Sequence, residues 1–268
     1  MRKLTIFIIM IFIIVTSACN NIGEPKDVIY LNYFKQTHTY KDYLKIKDKV
    51  SGFDKYYTYS DGIMWVRKDN KDFDVNEELY GAINMNGDLV VPLNSTWTSV
   101  HNFSDGIAFV HFKSNEKLGD NTAIIDTNGN VIQTFNVKQN SKDMHNSFSE
   151  GYAIYEKDIG ANGGSCCYII DKLGNTKQIT PKVSFSKDAS KISNFKEGLC
   201  RIYSDTAKAS CTFINTNGEI QFTMNNYWVK SSSDFENGQS TLTIKGEDKS
   251  DYKVIVDRNG NIISTEKK

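Results

Sequence analysis

One phrase of sequence recurs five times between residues 59 and 238, and it restricts the folds open to this chain. An aromatic residue is followed by two further residues, a glycine and then alternating apolar positions. The copies are Tyr59–Gly62, Phe103–Gly106, Phe148–Gly151, Phe195–Gly198 and Phe235–Gly238. Their glycines are 44, 45, 47 and 40 residues apart. A period of this length indicates a fold assembled from repeated supersecondary units.

A second glycine phrase follows each copy of the first, with 20 to 25 residues between the two glycines. It consists of apolar residues, an Asp or Asn, and a turn that is mostly Asn-Gly. The copies are residues 82–88, 124–130, 169–175, 213–219 and 255–261. Apolar stretches rich in β-branched and aromatic residues flank both phrases and predict short strands. An Asn-Gly turn of two residues is expected to close a tight hairpin, so each unit is a meander of three or four strands.

A single meander of this size has too little core to be stable alone, so the units must stack on one another. We therefore predict an all-β fold of five antiparallel meander repeats of about 44 residues, spanning residues 59–268. A propeller-like ring is favoured because closure removes sheet edges, and an open β-solenoid is the alternative. Residues 28–58 are expected to form a segment that caps the N-terminal end of the array.

The two alternating phrases resemble the WG-type β-repeat of bacterial surface and secreted proteins. The resembling pattern is F-x-E-G-x-A-x-V followed by I-D-x-x-G-x-x-V-I, and it covers roughly residues 56–265. The Trp-Gly dipeptide that names the repeat is absent, and Tyr80-Gly81 stands in its place in the first copy. The resemblance implies a repeat fold and supplies no catalytic residues.

The N-terminus has the features of a bacterial lipoprotein signal. Arg2 and Lys3 precede an apolar run, residues 4–15, which is shorter than the roughly 20 residues of a membrane-spanning helix. Small residues then lead into Cys19, an arrangement that resembles the lipobox. We predict a signal peptide over residues 1–18, and a lipidated Cys19 with a polar spacer over residues 19–27. This places the protein outside the cytoplasm, anchored by lipid in a bacterial cell envelope. An ordinary signal peptide and a short membrane anchor are the alternatives.

The charge balance excludes several classes of partner. The chain has 32 Lys and Arg and 32 Asp and Glu, so its formal net charge is zero. Removal of residues 1–18 takes away Arg2 and Lys3 and no acid, which leaves 30 against 32 and a net charge of −2. We therefore expect no nucleic-acid partner, and no electrostatic attraction to anionic lipid beyond the acyl anchor.

Two sets of acidic and amide side chains recur with the repeats. One set precedes the second glycine, and these side chains are expected to stabilise turns rather than bind a metal, because a full calcium loop needs more oxygen ligands. Its members are Asn84, Asp126, Asp171, Asn215 and Asp257. The other set directly precedes the first glycine, and capping of turns is favoured over binding of a cation or sugar. Its members are Asp61, Asp105, Glu150, Glu197 and Asn237.

The sequence offers no catalytic constellation. The four histidines do not recur at one repeat position, and His101 and His111 lack the four-residue spacing of a helical zinc pair. No G-x-S-x-G, H-E-x-x-H or phosphate-binding glycine loop is present. We therefore expect no enzymatic activity, no catalytic residues, no cofactor and no metal site.

The cysteines other than Cys19 are even in number: Cys166, Cys167, Cys200 and Cys211. A cross-strand disulfide between Cys200 and Cys211 is one hypothesis, because a short connection would place them nearly opposite each other. Cys167 and Cys211 form a rival pair at equivalent positions of neighbouring copies. Buried reduced thiols are favoured over either pair, since Cys200 replaces the small residues Ala108 and Ala153 of earlier copies.

The three tryptophans lie at different repeat positions, so they do not all fill one structural place. Trp65, Trp97 and Trp228 are candidate ligand contacts, because tryptophan on a repeat surface can stack on a sugar or anchor a protein. Core packing is nevertheless the default expectation for each. We expect a non-enzymatic, lipid-anchored binding or scaffolding module whose partner is an unknown envelope protein or glycan. The alternatives are an accessory, substrate-binding part of a cell-wall enzyme system and a structural envelope protein.

Overall fold

Five antiparallel sheets and one helix make up the part of the chain that the computed structural model describes. The described residues are 40–70, 77–112, 121–136, 146–158, 165–179, 192–203 and 210–268. Helix α1 spans Tyr40–Val50. Every sheet has its strands in sequence order, with antiparallel pairing throughout. The prediction of an all-β fold with five meander repeats is therefore confirmed.

The strand bounds show that each sheet corresponds to one sequence repeat. Sheet 1 contains β1 (Lys55–Ser60), β2 (Ile63–Asn70), β3 (Glu77–Asn84) and β4 (Leu89–Asn94). Sheet 2 contains β5 (Trp97–Val100), β6 (Ile107–Phe112), β7 (Thr122–Asp126) and β8 (Val131–Phe135). Sheet 3 contains β9 (Tyr152–Asp158), β10 (Ser165–Asp171) and β11 (Thr176–Gln178), and sheet 4 contains β12 (Leu199–Tyr203), β13 (Cys211–Asn215) and β14 (Ile220–Thr223). Sheet 5 contains β15 (Trp228–Ser232), β16 (Gln239–Lys245), β17 (Asp251–Asp257) and β18 (Ile262–Lys267).

The two-residue turn lies in the first glycine phrase, which corrects the sequence prediction. Ser60 pairs with Ile63 across Asp61-Gly62, and both turn residues have positive φ, 51° and 79°. This is the conformation of a type I′ turn, whose twist matches that of the flanking strands. The other four copies have the same pair of positive φ angles. The acidic residue therefore adopts a left-handed conformation that is otherwise typical of glycine or asparagine.

The second phrase forms a longer loop with a bulge. In sheet 2, the Gly129 N–H donates to the carbonyl of Asp126, and the Asp126 N–H donates to the carbonyl of Asn130. Only Gly129 in this loop has positive φ, and the pairing register shifts next to it, between Ile124 and Ile125. This is a type I turn followed by a glycine bulge, which a three-residue hairpin loop commonly adopts.

Consecutive sheets pack face to face, and the recurring aromatic residue of the first phrase lies between them. Phe103 stacks on Trp65 of the preceding sheet at 5.2 Å between ring centroids, and Phe148 stacks on Phe109 at 5.3 Å. The four phenylalanines at this position are all at most 1% exposed. Hydrophobic clusters join sheets 1 and 2, sheets 2 and 3, sheets 3 and 4, and sheets 4 and 5 in turn. The core is thus divided into layers between repeats.

Helix α1 covers the free face of sheet 1. Its residues Ile46 and Val50 form a cluster with Met64, Val66 and Ile83. In a closed ring this face would pack against sheet 5, and in the structure the helix lies there instead. Helix α1 belongs to the segment predicted to cap the array, whereas β1 begins at Lys55, before the predicted start of the repeat domain.

Sheet 5 ends the array with a polar face. Along β16, Leu242 and Ile244 are buried against sheet 4, Ser240 is also buried, and the alternate residues face the other way. On that other face, the polar residues Gln239 and Thr241 occupy the repeat positions that the apolar residues Ile107 and Phe109 occupy in sheet 2. Terminal repeats of a stacked array need such a polar outer surface to remain soluble.

Candidate functional site

The acidic residues of the first phrase link each repeat to the next. An Asp61 carboxylate oxygen accepts a hydrogen bond from the Gly106 N–H at 2.7 Å, and Asp105 accepts one from the Gly151 N–H at 2.6 Å. The two oxygens of Glu150 accept from the N–H groups of Glu197 and Gly198 at 2.7 and 2.6 Å. These carboxylates cap turns, as the sequence favoured, but the turn that each one caps belongs to the following sheet.

Glu197 continues the series into sheet 5. Its two oxygens accept hydrogen bonds from the N–H groups of Asn237 and Gly238 at 2.6 and 2.8 Å. Successive backbone N–H groups of a turn form an environment that favours an anion. The recurring acids therefore bind backbone between repeats, and their geometry is that of a structural link rather than a sugar or cation site.

The second set of acidic residues is engaged in its own turns, as the sequence predicted. One oxygen of Asp126 accepts from the N–H groups of Asn128 and Asn130 at 2.8 and 2.9 Å, and the other accepts from the Asn130 side chain. Asp257 makes the same three bonds. Hydrogen bonds from Asn261 hold the pKa of Asp257 below its ordinary value. These carboxylates have no geometry for calcium because their oxygens are directed into the turn.

Two of the three tryptophans are buried and one is exposed. Trp65 and Trp97 are 1% and 7% exposed and pack edge to face at 5.7 Å between ring centroids. The Trp65 Nε1–H donates to the carbonyl of His101 at 2.7 Å. Both are core residues between sheets 1 and 2, which was the default expectation, and the alternative that they contact a ligand is not supported. Trp228 is 53% exposed on β15 and remains a candidate contact.

The cysteines are buried thiols, the favoured expectation, and neither hypothetical disulfide pair is formed. Cys200 pairs with Ile214 and Cys211 pairs with Tyr203, so the two thiols are offset along the β12–β13 ladder. Cys200 packs toward sheet 3 and Cys211 toward sheet 5, so the two thiols lie on opposite faces of sheet 4. Cys167 lies in the layer between sheets 3 and 4, and sheet 4 therefore separates it from Cys211. None of the four cysteines in the described part of the chain forms a disulfide, and all four are buried. Burial raises the pKa of both the Cys200 and the Cys211 thiol to about 12, so they remain protonated.

His101 and His111 form a contact that sequence spacing did not reveal. His101 donates its backbone N–H to Phe109, and His111 lies two residues further along β6, so the two side chains are diagonal neighbours on one face. Their Nε2 atoms are 3.1 Å apart. The Nδ1 atom of His111 is 2.8 Å from Oγ1 of the buried Thr122. Cross-strand pairing explains why a separation of ten residues in sequence brings two imidazoles together.

Exposed aliphatic side chains occupy one equivalent position in several repeats. They are the first residues of the last strand of their sheets, and we call them the edge row: Leu89, Val131, Ile220 and Ile262. Leu89, Val131 and Ile262 are 45%, 57% and 43% exposed, and Ile220 is half-buried. Sheet 3 has Thr176 at this position and carries the 79% exposed Leu173 in the preceding turn. Each of these strands is also an outer edge of its sheet.

A shallow, open cleft of about 170 Å³ lies between sheets 3 and 4, lined in part by Tyr152, Ile169 and Asp171. Asp171 is engaged by its own turn, because its carboxylate accepts from the N–H groups of Leu173 and Asn175. In the described part of the chain, no three His, Cys, Asp or Glu side chains converge as a metal site.

Nothing among the described residues forms a helix long and apolar enough to cross a bilayer. Residues 1–39, which include the apolar N-terminal run and Cys19, lie outside the described residues, as does His145. The predicted signal peptide, lipidation and spacer therefore stay predictions.

Comparison with solved structures found matches at low identity. A crystal structure of a eukaryotic initiation factor has a TM-score of 0.52 and 9% identity, and the match covers 81% of this chain and 55% of that one. The chain thus spans about half the length of that protein, and the similarity shows the fold alone. The WD40 domain of Toxoplasma gondii coronin and the WD40 β-propeller domain of Doa1 match with TM-scores of 0.39 and 0.36, both at 11% identity. The matches cover 77% and 76% of this chain and 57% and 64% of those domains. These two scores are too low to support a conclusion about this chain.

Comparison with curated proteins found no match. A family model described as the WG containing repeat matches residues 80–111, from β3 to β6. This segment includes Tyr80-Gly81 and the Phe103–Gly106 phrase. The chain is therefore similar to the WG containing repeat in the segment that joins its first two copies.

Proposed function

We propose that this protein is a non-enzymatic binding or scaffolding module that presents an extended repeat surface to an envelope partner. The edge row carries the proposal, because exposed aliphatic side chains recur at one equivalent position of stacked repeats. Repeat arrays bind through such periodic surfaces, and an exposed edge strand can also pair with a partner's backbone. Among the described residues, the recurring acidic residues and two of the tryptophans are engaged within the fold, whereas most of the edge row and Trp228 are exposed.

A cross-linking pull-down from intact cells tests this proposal. We expect the full chain to recover one protein or one class of glycan in reproducible yield. The variant Leu89→Ser, Val131→Ser, Ile262→Ser should lose most of that yield. A matched control with Lys177→Ser and Glu266→Ser changes exposed polar residues on edge strands, and it should keep the yield. Equal recovery by both variants would show that the edge row is not the binding surface.

The membrane anchor is part of the same proposal. A lipid on Cys19 would hold the array outside the membrane, with residues 20–27 as spacer, because two or three acyl chains suffice for a stable tether. Cys19→Ala should move the protein from the membrane fraction to the soluble fraction after an alkaline wash. A variant that still sediments with the membrane would contradict lipid anchoring through this residue.

A further inference from the structure

We propose that His101 and His111 form a binding site for a divalent transition-metal ion of the zinc, nickel or copper class. The proposal does not depend on the binding role of the edge row. The Nε2 atoms of the two histidines lie 3.1 Å apart on one face of sheet 2. The two rings are nearly perpendicular, with an interplanar angle of 77°, and both residues are partly exposed.

The neighbouring hydrogen bonds set the proton positions on His111. The Thr122 hydroxyl donates to the side-chain oxygen of Asn121 at 2.8 Å, and this uses its single proton. Its oxygen therefore accepts from His111, so the Nδ1 atom of His111 carries the proton. The lone pair of the neutral ring is then on Nε2, the atom that faces His101. Metal-binding histidines are commonly oriented by this kind of hydrogen bond from the other ring nitrogen.

The spacing of the two Nε2 atoms fits adjacent positions in a metal coordination sphere. With metal–nitrogen bonds of about 2.0–2.1 Å, a nitrogen separation of 3.1 Å gives a nitrogen–metal–nitrogen angle of roughly 100°. This lies between the angles of square-planar and tetrahedral sites. Imidazole nitrogen suits zinc, copper and nickel, and water would complete the coordination. His101 would bind with its Nε2 deprotonated and the ring proton on Nδ1.

The repeat fold itself does not require this pair. The equivalent positions carry Asn146 and Glu156 in sheet 3, and Ser193 and Tyr203 in sheet 4. The backbone bond that His101 makes to Phe109 is retained there by Asn146 to Ile154 and by Ser193 to Arg201. Two histidines are therefore a special feature of sheet 2. The same comparison provides a substitution that the repeat accommodates, His101→Asn.

Isothermal titration of the full chain, purified without a histidine tag, with zinc or nickel chloride tests the site. We expect one ion per chain, and an affinity reduced about tenfold or more in His101→Asn and in His111→Gln. His38→Asn, which changes a histidine outside the pair, should bind like the unmodified chain. Unchanged affinity in both pair variants, or no binding by the unmodified chain, would overturn the proposal.

A spectroscopic measurement keeps the test independent of variant folding. With copper bound to the unmodified chain, the electron paramagnetic resonance spectrum should show hyperfine coupling to two imidazole nitrogens. Coupling to one nitrogen would indicate binding at a single surface histidine and would overturn the paired site. Urea midpoints of the two variants, compared with that of the unmodified chain, show whether a loss of affinity reflects unfolding.

Discussion

Replacing Gly129 by alanine should destabilise the array more than the same change at Gly106. The two glycines have nearly the same conformation, with φ of 82° and 79°. An alanine in this left-handed region costs about 1–2 kcal/mol at either position. The difference between them is the surroundings of the added methyl group, so the comparison isolates the packing of one repeat on the next.

The structure gives the size of that difference. A Cβ at Gly129 would lie 2.9 Å from Cγ1 of Val91 in sheet 1, whereas a Cβ at Gly106 meets nothing within 4 Å. Val91 is fully buried in the layer between sheets 1 and 2, so it has little room to move. Overpacking of this kind typically costs about 1–3 kcal/mol. We therefore expect Gly129→Ala to lose about 2–5 kcal/mol and Gly106→Ala about 1–2 kcal/mol.

Urea and thermal unfolding of both variants, followed by circular dichroism, measure this difference. For a domain of this size, each kcal/mol corresponds to a change in Tm of about 2–4 °C. Gly129→Ala should therefore unfold at a Tm lower than Gly106→Ala by roughly 2–12 °C. Equal midpoints for the two variants would refute the close packing of the second-phrase loop on the preceding sheet.

Two further predictions concern the links between repeats and the buried thiols. Glu150→Gln replaces one acceptor oxygen by an NH₂ group that faces a backbone N–H, so it should cost about 1–2 kcal/mol in urea unfolding. The same change at the exposed Glu236 should cost less than about 0.5 kcal/mol, and equal effects would contradict the link. The folded-state pKa of Cys200 and Cys211 is raised from 9.0 to about 12, so their contribution to stability is complete below pH 9 and is lost as pH rises toward 12. Cys200→Ala should reduce the alkaline loss by up to about 1.4 kcal/mol per pH unit, and an unchanged pH profile would exclude that thiol as its cause.

The sequence was sufficient to predict the number and type of repeats, because periodic glycines indicate turns and runs of β-branched residues indicate strands. It did not reveal which glycine phrase forms the two-residue turn. Asn-Gly is the usual signal for such a turn, yet in this protein Asp61-Gly62 and its equivalents have φ > 0 at both positions. The acidic residues with this conformation bind backbone N–H groups of the next repeat. Such a contact joins residues about 45 positions apart, so the local sequence does not predict it.

The faces on which the tryptophan and cysteine side chains lie depend on the register of strand pairing, which the local sequence pattern does not determine. A shift of one residue in strand pairing moves a side chain to the other face of a sheet. The observed pairing of Cys200 with Ile214 places the two cysteines in different layers of core. Trp65 and Trp97 occupy different repeat positions, but stacking brings the second strand of one sheet against the first strand of the next. Different positions within a repeat therefore meet in a single layer.

The links between repeats also give the array a direction. Each acid in the series binds the turn of the following sheet, from Asp61 through Glu197. The fifth copy has Asn237 at this position, where an amide cannot supply the charge that favours a cluster of backbone N–H groups. At the other end, α1 packs on sheet 1 in the way that sheet 1 packs on sheet 2. A Cβ on Gly87 would lie 2.9 Å from Val50 of α1, just as a Cβ on the equivalent Gly129 would lie 2.9 Å from Val91 of sheet 1. The helix therefore occupies the place of a preceding sheet, and the series of acidic links ends with Glu197, because the fifth copy has an amide.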